Sequence, residues 1–298
     1  MRILFVTSNR IGDAVLSTGL LDHLIRTHPA SRITVACGTV AEGVFLRMPN
    51  LERLITLEKR PYGRHWLGLW AASVGVWWDL VVDIRGSALA WLVPTRRRAV
   101  MRRRPGHKTA QLAALLGLDA PPLPVAWTAP ADRARAAVLL PPGPPVLVLG
   151  PTANWAGKVW PAERFVALAQ ALRAGPLAGA RVAVLAGPGA HERTLAAPVL
   201  AALPDAIDLA AGDLSLPEAA ACLARAALFV GNDSGLMHLA AAAGTPTLGL
   251  FGPTPAAEYA PAGRATAAAV ARGPRMEDLS VADALNAAGG LLALAPAS

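Results

Sequence analysis

Short, uniformly apolar runs alternate along this chain with longer stretches in which apolar residues recur every three or four positions. The first pattern is typical of strands buried on both faces of a parallel sheet, and the second predicts amphipathic helices. In the first half the predicted strands are Arg2–Ser8, Ile33–Cys37, Leu54–Leu57 and Leu80–Ile84, and the predicted helices are Ala14–Thr27, Val40–Met48 and Ala110–Leu116. This alternation predicts an α/β fold in which helices cover a parallel sheet.

A proline-dense segment then interrupts the pattern. Eight prolines fall between residues 120 and 145, which predicts an interdomain linker that contains one short helix, Asp132–Leu140. Afterwards the alternation restarts with strands Val146–Leu149, Arg181–Ala186 and Ile207–Leu209 and helices Pro161–Arg173, His191–Leu200 and Leu216–Leu223. We therefore predict two α/β domains, residues 1–140 and 146–298, a division that suits a length of 298 residues.

The most informative stretch is Leu228–Thr254. The pattern predicts a strand, Leu228–Val230, that Gly231 stops, then a helix, Leu236–Ala243, and a second strand, Thr247–Phe251. Asp233, Ser234 and Gly235 occupy the first turn of that helix, where unpaired N–H groups and the positive end of the helix dipole favour an anion. A diphosphate is the leading hypothesis, with His238 one turn further along the same face. The alternative is an ordinary N-cap in a βαβ unit.

Two further loops of the second half carry polar residues after a predicted strand. The first contains Thr152 and Lys158, which can donate to and neutralise phosphate. It is not a P-loop, because six residues separate its two glycines where that motif has four, and Val159 replaces the required Ser or Thr. The second contains Glu192, which is either a ribose ligand or an ordinary acidic residue at a helix start.

A loop of the first half places Asp13 at the start of the first predicted helix. A carboxylate there either complements the helix dipole or serves as a general base that takes a proton from an attacking hydroxyl. The residues alone leave both interpretations open.

Positive charge is concentrated in the first half of the chain. The net charge is +8, but residues 1–140 contain 19 Lys and Arg against 9 Asp and Glu, whereas residues 141–298 contain 9 against 11. Much of the excess lies in two triplets, Arg96, Arg97, Arg98 and Arg102, Arg103, Arg104, separated by a possible short strand. Such a run typically meets a polyanion. Nucleic acid is disfavoured because no recognised binding motif accompanies the run, so anionic lipid or a phosphorylated glycan remains.

Tryptophan and cysteine usage bear on location. Trp66, Trp70, Trp77 and Trp78 either pack in the core or add contacts at a membrane interface. Cys37 and Cys222 form no disulfide or metal motif, which fits a reducing cytoplasm. The N-terminal residues are predicted to be a strand and not a signal peptide, and the apolar run Trp66–Trp78 is too short to span a bilayer.

Three segments together resemble glycosyltransferase family 9, the ADP-heptose:lipopolysaccharide heptosyltransferases. They are GDAVLSTGLL near the N-terminus, GKVWPAERF, and NDSGLMHLAAAAGTPTLGLFGPT, which is the most specific. The resemblance runs from residue 1 to about residue 262. It implies a GT-B fold, two Rossmann-like domains facing a cleft, and inverting transfer of a sugar to a lipopolysaccharide acceptor without a metal or other cofactor. The helix that crosses back to the first domain in this fold would be Val281–Leu294, which Gly289 and Gly290 interrupt.

The resemblance also implies roles for individual residues. Asp13 is similar to the family's acidic residue on the acceptor side and is the expected catalytic base. The expected donor-binding residues are Thr152, Lys158, Glu192, Asp233, Ser234, Gly235 and His238. No Asp-X-Asp triplet occurs, so Lys158 and the helix start at Ser234 would stabilise the leaving diphosphate in place of a metal. The six arginines become candidates for binding the acidic acceptor.

The sequence therefore predicts a heptosyltransferase-like enzyme in the cytoplasm, in peripheral contact with the inner face of the bacterial inner membrane. Its expected partners are a nucleotide sugar, with ADP-heptose as the family default, and an anionic glycolipid. Two alternatives stay open: a nucleotide-sugar epimerase of the same fold, and a non-catalytic protein that binds nucleotide sugar or a polyanion.

Overall fold

The computed structural model describes residues 1–58, 61–102, 104–211 and 214–294. They form two compact units, Met1–Trp127 and Thr128–Ser298. The division falls inside the proline-dense segment. Residues before it pack on the first unit, where the backbone N–H of Val125 donates to Thr18 Oγ1 at 2.9 Å. Residues after it belong to the second unit, where Leu140 O accepts a hydrogen bond from Arg225 Nε at 2.8 Å.

The first unit is a five-stranded parallel sheet with helices. Its strands are β1 Arg2–Val6, β2 Arg32–Gly38, β3 Leu51–Leu57, β4 Trp78–Asp83 and β5 Thr95–Val100, in the order β3-β2-β1-β4-β5. Its helices are α1 Ile11–Thr27, α2 Arg64–Val74, α3 Leu89–Leu92 and α4 Lys108–Ala113. The central strand β1 is apolar because the middle of the sheet is buried: Ile3, Leu4, Phe5 and Val6 are wholly inaccessible.

The second unit is a six-stranded parallel sheet. Its strands are β6 Val146–Gly150, β7 Arg181–Val184, β8 Ile207–Asp208, β9 Leu228–Asn232, β10 Thr247–Phe251 and β11 Thr266–Val270, in the order β11-β10-β9-β6-β7-β8. Its helices are α5 Pro130–Leu139, α6 Ala162–Ala174, α7 Ala190–Ala202, α8 Leu216–Leu223, α9 Gly235–Ala242, α10 Ala256–Tyr259 and α11 Val281–Leu294. Because β9 and β6 are neighbours at the centre, the loops that follow them share one edge of the sheet.

Gly231 does not stop its strand, and that prediction is wrong. The residue lies inside β9, opposite Gly150 of β6 and Gly249 of β10. A Cβ atom at Gly231 would approach the Phe229 ring to 2.7 Å, and one at Gly150 would approach it to 2.5 Å. The two glycines are therefore needed to let the buried Phe229 ring pack directly against the sheet.

Other elements also differ from the sequence prediction, among them the short helices α3 and α10, which were not predicted. The predicted helix Val40–Met48 is a 3-10 segment, Thr39–Val44, and the strand β11 was not predicted because its sequence, TAAAV, is rich in alanine. Gly289 and Gly290 do not interrupt α11. That helix continues because Ala284, Ala288 and Leu291 form a buried stripe, and it packs on α6, β10 and β11 of its own unit. Among the described residues, no helix is long and apolar enough to cross a bilayer.

Candidate functional site

An ion pair lies at the carboxyl edge of the second sheet. Lys158 follows β6 and ends a short 3-10 turn, while Asp233 follows the neighbouring strand β9. The Lys158 ammonium nitrogen donates to Asp233 Oδ2 at 2.6 Å, and the two side chains are only 20% and 7% exposed. The ammonium carries three N–H donors, so two remain for another acceptor. The sequence predicted that both residues bind the nucleotide-sugar donor, but it did not predict that they form an ion pair with each other.

The loop that carries Lys158 is fixed to β9 by its backbone. The N–H of Trp160 donates to Asn232 Oδ1 at 3.0 Å, and Trp160 Nε1 donates to Leu279 O at 3.0 Å. Both Trp160 and Asn232 are fully buried. Burial of these hydrogen bonds restricts the loop, because breaking one would leave a polar group without a partner away from water. Lys158 is therefore presented from a rigid support.

Several buried polar atoms at this edge have no hydrogen-bond partner. They are Ser234 Oγ at the N-cap of α9, Thr254 Oγ1 in the loop after β10, and Asn232 Nδ2. Buried donors and acceptors without partners are uncommon and costly, and they often mark a place where a ligand binds. The sequence analysis did not assign Asn232 and Thr254 to the donor site, although both follow the apolar run of a strand, which is the signal it used for Asp233.

The other residues predicted to bind the nucleotide-sugar donor lie at the same edge, where the neighbouring strands β10, β9, β6 and β7 end. Gly235 is the first residue of α9, His238 is buried one turn later, and Thr152 follows β6 but is only 1% exposed. Glu192 lies in the first turn of α7, after the strand β7. Its carboxylate carbon would be 3.2 Å from a Cβ atom at Gly187, so that glycine leaves room for it. Three strand spacings of about 4.8 Å separate the β10 and β7 loops, or roughly 14 Å, a length that suits an extended nucleoside diphosphate.

Asp13 lies in the first turn of α1, after β1, and is half-buried. Ser8 Oγ donates to Asp13 Oδ2 at 3.2 Å, and the backbone N–H of Arg10 donates to Ser8 Oγ at 3.2 Å. A serine bridge of this kind orients one carboxylate oxygen and leaves the other able to accept a proton. A general base is the role that the sequence predicts for this carboxylate, and its position at the start of a helix keeps that role a hypothesis to be tested.

The neighbouring loop of the first unit contains an arginine that the sequence analysis did not consider. Arg85 Nη1 donates to Asn9 Oδ1 at 2.9 Å, and the Arg85 guanidinium lies 4.9 Å from the centre of the Trp66 ring. Arg85 is held by Asp83, which accepts hydrogen bonds from the backbone N–H groups of Arg85 and Ser87 and from Ser87 Oγ. Burial raises the pKa of Asp83, and these hydrogen bonds lower it only in part.

The structure separates the two arginine triplets. Arg96, Arg97 and Arg98 lie within β5, and the first two line a cavity at the amino edge of the sheet with Met1, His28 and Asp79. Arg102 and Arg104 follow the carboxyl end of β5, where the N–H of Met101 donates to Asp83 O at 2.8 Å. Arg102 and Arg104 thus share the edge that carries Asp13. Arg103 lies outside the described residues.

Comparison with known proteins agrees with the family resemblance found in the sequence. The profile of glycosyltransferase family 9 (heptosyltransferase) matches residues 87–287. Lipopolysaccharide heptosyltransferase 3 of Escherichia coli is 33% identical over 109 residues, which is 36% of this chain and 31% of that protein. The aligned segment therefore spans less than a third of the relative's length.

Two solved structures share the fold at low sequence identity. The E. coli ADP-heptose lipopolysaccharide heptosyltransferase II matches with a TM-score of 0.75 and 20% identity, over 98% of this chain and 99% of its own. The E. coli heptosyltransferase WaaC with ADP matches with a TM-score of 0.76 and 19% identity, over 98% and 100%. The expected GT-B fold class, with two parallel α/β sheets, is confirmed. Since the family profile matches well over half of the sequence, the chain belongs to glycosyltransferase family 9, the heptosyltransferase family.

Proposed function

We propose that this protein transfers a heptose, with inversion and without a metal ion, from ADP-heptose to an anionic lipopolysaccharide-core acceptor. Its place would be the cytoplasm, in peripheral contact with the inner face of the inner membrane. Family membership supports the reaction class, and the matched heptosyltransferases support the choice of donor and acceptor.

One observation carries the donor half of the proposal. The Lys158–Asp233 pair, the partnerless hydroxyls of Ser234 and Thr254, and the first turn of α9 converge on one sheet edge. A diphosphate placed there receives two N–H donors from Lys158, hydroxyl donors from Ser234 and Thr254, and the positive end of the helix dipole. These groups are fixed before the reaction, so they stabilise the negative charge that develops on the leaving ADP.

Asp13 supplies the base in this proposal. The acceptor hydroxyl attacks the anomeric carbon while the bond from that carbon to the diphosphate oxygen breaks. The hydroxyl proton passes to the free oxygen of Asp13, and ADP leaves with the bonding electron pair. Attack from the side opposite the leaving group inverts the anomeric configuration. The serine bridge from Ser8 keeps the carboxylate oriented for this transfer.

Arg102 and Arg104 are the proposed acceptor cations, because they follow the same sheet edge as Asp13. Thr152, Glu192, Gly235 and His238 complete the proposed donor site. Glu192 would accept from a ribose hydroxyl, because its loop lies two strands from Asp233 along the edge. Thr152 is buried, so it would support the loop that carries Lys158 and would have little direct contact with the nucleotide.

The decisive experiment measures ADP release from ADP-heptose in the presence and absence of a lipopolysaccharide-core acceptor, with and without a chelator. The proposal expects release that depends on the acceptor and is insensitive to the chelator. Interconversion of the nucleotide sugar without acceptor would identify an epimerase. Thermal stabilisation by ADP-heptose with no release under any condition would identify a binding protein. Release abolished by the chelator would overturn the metal-independent mechanism.

A further inference from the structure

The tryptophans around α2 and α3 fall into two groups. Trp78 is buried in the core beneath α2 and α3, and Trp66 packs against the same core. Other large apolar side chains in this region face solvent. They are Leu67 and Trp70 on α2, Trp77 just before β4, and Trp91 and Leu92 on α3, and we call these five residues the tryptophan face.

The α2 and α3 parts of the tryptophan face are joined. Trp70 Nε1 donates to Leu92 O at 3.0 Å, and Leu67 lies one helical turn before Trp70 on α2. Trp91 is 64% exposed and Leu92 is 59% exposed. Trp77 is 66% exposed and precedes Trp78, whose N–H donates to Pro94 O at 3.1 Å, next to the start of β5. Three tryptophans and two leucines in this arrangement are unusual on a surface that meets only water.

Arginines border this face. Arg98 Nε donates to Ala90 O at 2.6 Å, and its guanidinium lies 5.4 Å from the centre of the Trp91 ring. Arg96 and Arg97 line the cavity of about 460 Å³ at the start of β5. Asp79 also lines it, but its carboxylate accepts the backbone N–H of Arg2 at 2.7 Å. Residues 61–102 contain six arginines and only two acidic residues, and the second, Asp83, is buried.

We propose that the tryptophan face, with Arg96, Arg97 and Arg98, is the surface by which the first unit docks on an anionic phospholipid bilayer. Tryptophan and leucine side chains enter the headgroup boundary, while arginines beside them meet lipid phosphates. This assigns the first arginine triplet to lipid and leaves Arg102 and Arg104 for the acceptor. The inference rests on the proposed function, because an enzyme whose acceptor is membrane-bound requires such a surface. The docking itself needs neither the nucleotide sugar nor the acceptor.

Vesicle flotation tests the docking directly. The full chain is mixed with phosphatidylcholine vesicles that either contain or lack phosphatidylglycerol. Binding is expected only with the anionic lipid, falling as salt is raised, with a blue shift of tryptophan fluorescence on binding. Trp91→Ser/Leu92→Ser should weaken the vesicle affinity about 10-fold or more, because two apolar side chains leave the interface. Val138→Ser is the matched control, since Val138 is a 72% exposed apolar residue of the second unit.

A second pair of variants isolates the charges. Arg96→Gln/Arg98→Gln should lower the affinity for anionic vesicles and flatten its salt dependence, because each arginine near the surface contributes electrostatic attraction. Arg135→Gln/Arg173→Gln removes two exposed arginines of the second unit and should leave vesicle binding unchanged. Calorimetry with ADP on every variant checks that the donor site is intact.

The outcomes separate the docking from the proposed reaction. Loss of vesicle binding with unchanged ADP affinity in Trp91→Ser/Leu92→Ser supports the docking surface, whatever the acceptor assay shows. Equal binding of the variant and the wild type to anionic vesicles would overturn it. If light scattering shows that the wild type self-associates and the variant does not, a second copy of the chain covers this face, and the bilayer assignment is wrong.

Discussion

The Lys158 ammonium nitrogen lies 2.6 Å from Asp233 Oδ2, although 75 positions separate the two residues in sequence. The two charges are largely buried and cancel one another, so the pair by itself neither attracts nor repels a distant anion. The ion pair instead fixes the direction of the remaining Lys158 donors, just beside the first turn of α9. In the proposed function, a diphosphate would therefore meet positioned donors and a helix dipole rather than a diffuse cationic surface.

Lys158→Gln should weaken ADP binding by roughly 10- to 100-fold, the equivalent of about 1.5–3 kcal/mol for a charged hydrogen bond. The variant removes the positive charge and also leaves the Asp233 carboxylate without its partner next to the phosphates. Isothermal titration calorimetry measures the affinity. Lys108→Gln, which removes a lysine of the first unit, is the control and should bind ADP as the wild type does.

The Lys158–Asp233 ion pair leads to a second prediction for the same site. Lys158→Gln/Asp233→Asn should bind ADP more tightly than Lys158→Gln alone, because the uncompensated carboxylate is gone. A double variant as weak as the single one, or weaker, would show that Asp233 helps nucleotide binding independently of Lys158.

Ser234→Ala should separate stability from binding. The Ser234 hydroxyl is buried without a partner in the ligand-free protein, so its removal should leave the free energy of unfolding unchanged or raise it by up to about 1 kcal/mol. The same substitution should reduce the thermal stabilisation that ADP provides, because a hydroxyl donor to the diphosphate is lost. Differential scanning fluorimetry with and without ADP measures both effects.

A matched control for Ser234 lies at the start of β10. Thr247 Oγ1 is buried and donates to Thr245 O at 2.8 Å, so Thr247→Val should lower stability by about 1–2 kcal/mol and leave the ADP-dependent shift intact. If Ser234→Ala instead lost stability without any change in the ADP shift, the hydroxyl would be structural, and its role in the donor site would be wrong.

Asp13→Asn should reduce kcat by 10²-fold or more, about the contribution of a general base, while ADP affinity stays within a factor of about two. The amide keeps the size of the side chain but cannot take the proton. Asp22→Asn on the same helix is the control, since Asp22 pairs with Arg26 on the exposed side and should keep full activity. Wild-type turnover in Asp13→Asn would rule out the base assignment.

The sequence predicts the fold well because parallel strands and their helices carry local signals. Residues 216–223 and 247–251 match their predicted bounds, and most other predicted elements shift by a few positions, whereas α3, α10 and β11 were not predicted. The predictions are wrong where packing between distant residues decides the role of a residue and its local sequence does not. Gly231 reads as a strand breaker but makes room for the Phe229 ring, and the paired glycines of α11 are outweighed by the buried stripe that includes Ala284 and Leu291.

The candidate sites were predictable as loops and residue types, but not as contacts. Asp233 and Lys158 were identified separately because each follows an apolar run, whereas their pairing depends on the order of β6 and β9 in the sheet. The arginine run also illustrates the limit of sequence. Both triplets appear as one basic segment, yet β5 places them towards opposite edges of the sheet. Trp91 was not considered because only the structure shows that it is exposed.

The buried thiols predict an alkaline loss of stability. Burial raises the pKa of Cys37 to about 12 and that of Cys222 to about 11, from an ordinary value of 9.0. Both groups stay protonated in the folded protein while the unfolded chain ionises above pH 9. Their contribution is therefore fully present below pH 9 and is lost as the pH rises towards the folded-state values. The loss is at most about 1.4 kcal/mol per pH unit for each thiol.

Cys37→Ala tests this contribution, because alanine cannot ionise in either state. The stability advantage of the wild type over the variant should be constant well below pH 9 and should shrink by about 1 kcal/mol between about pH 9 and about pH 10, because the thiol of the unfolded chain is half ionised at the start of that interval. Urea unfolding followed by tryptophan fluorescence reports mainly on the first unit, which contains six of the eight tryptophans. Ala36→Gly, a buried neighbour without a titrating group, should keep a constant difference from the wild type over the same range. A Cys37→Ala difference that also stays constant would mean that the thiol ionises equally in the folded and unfolded chains.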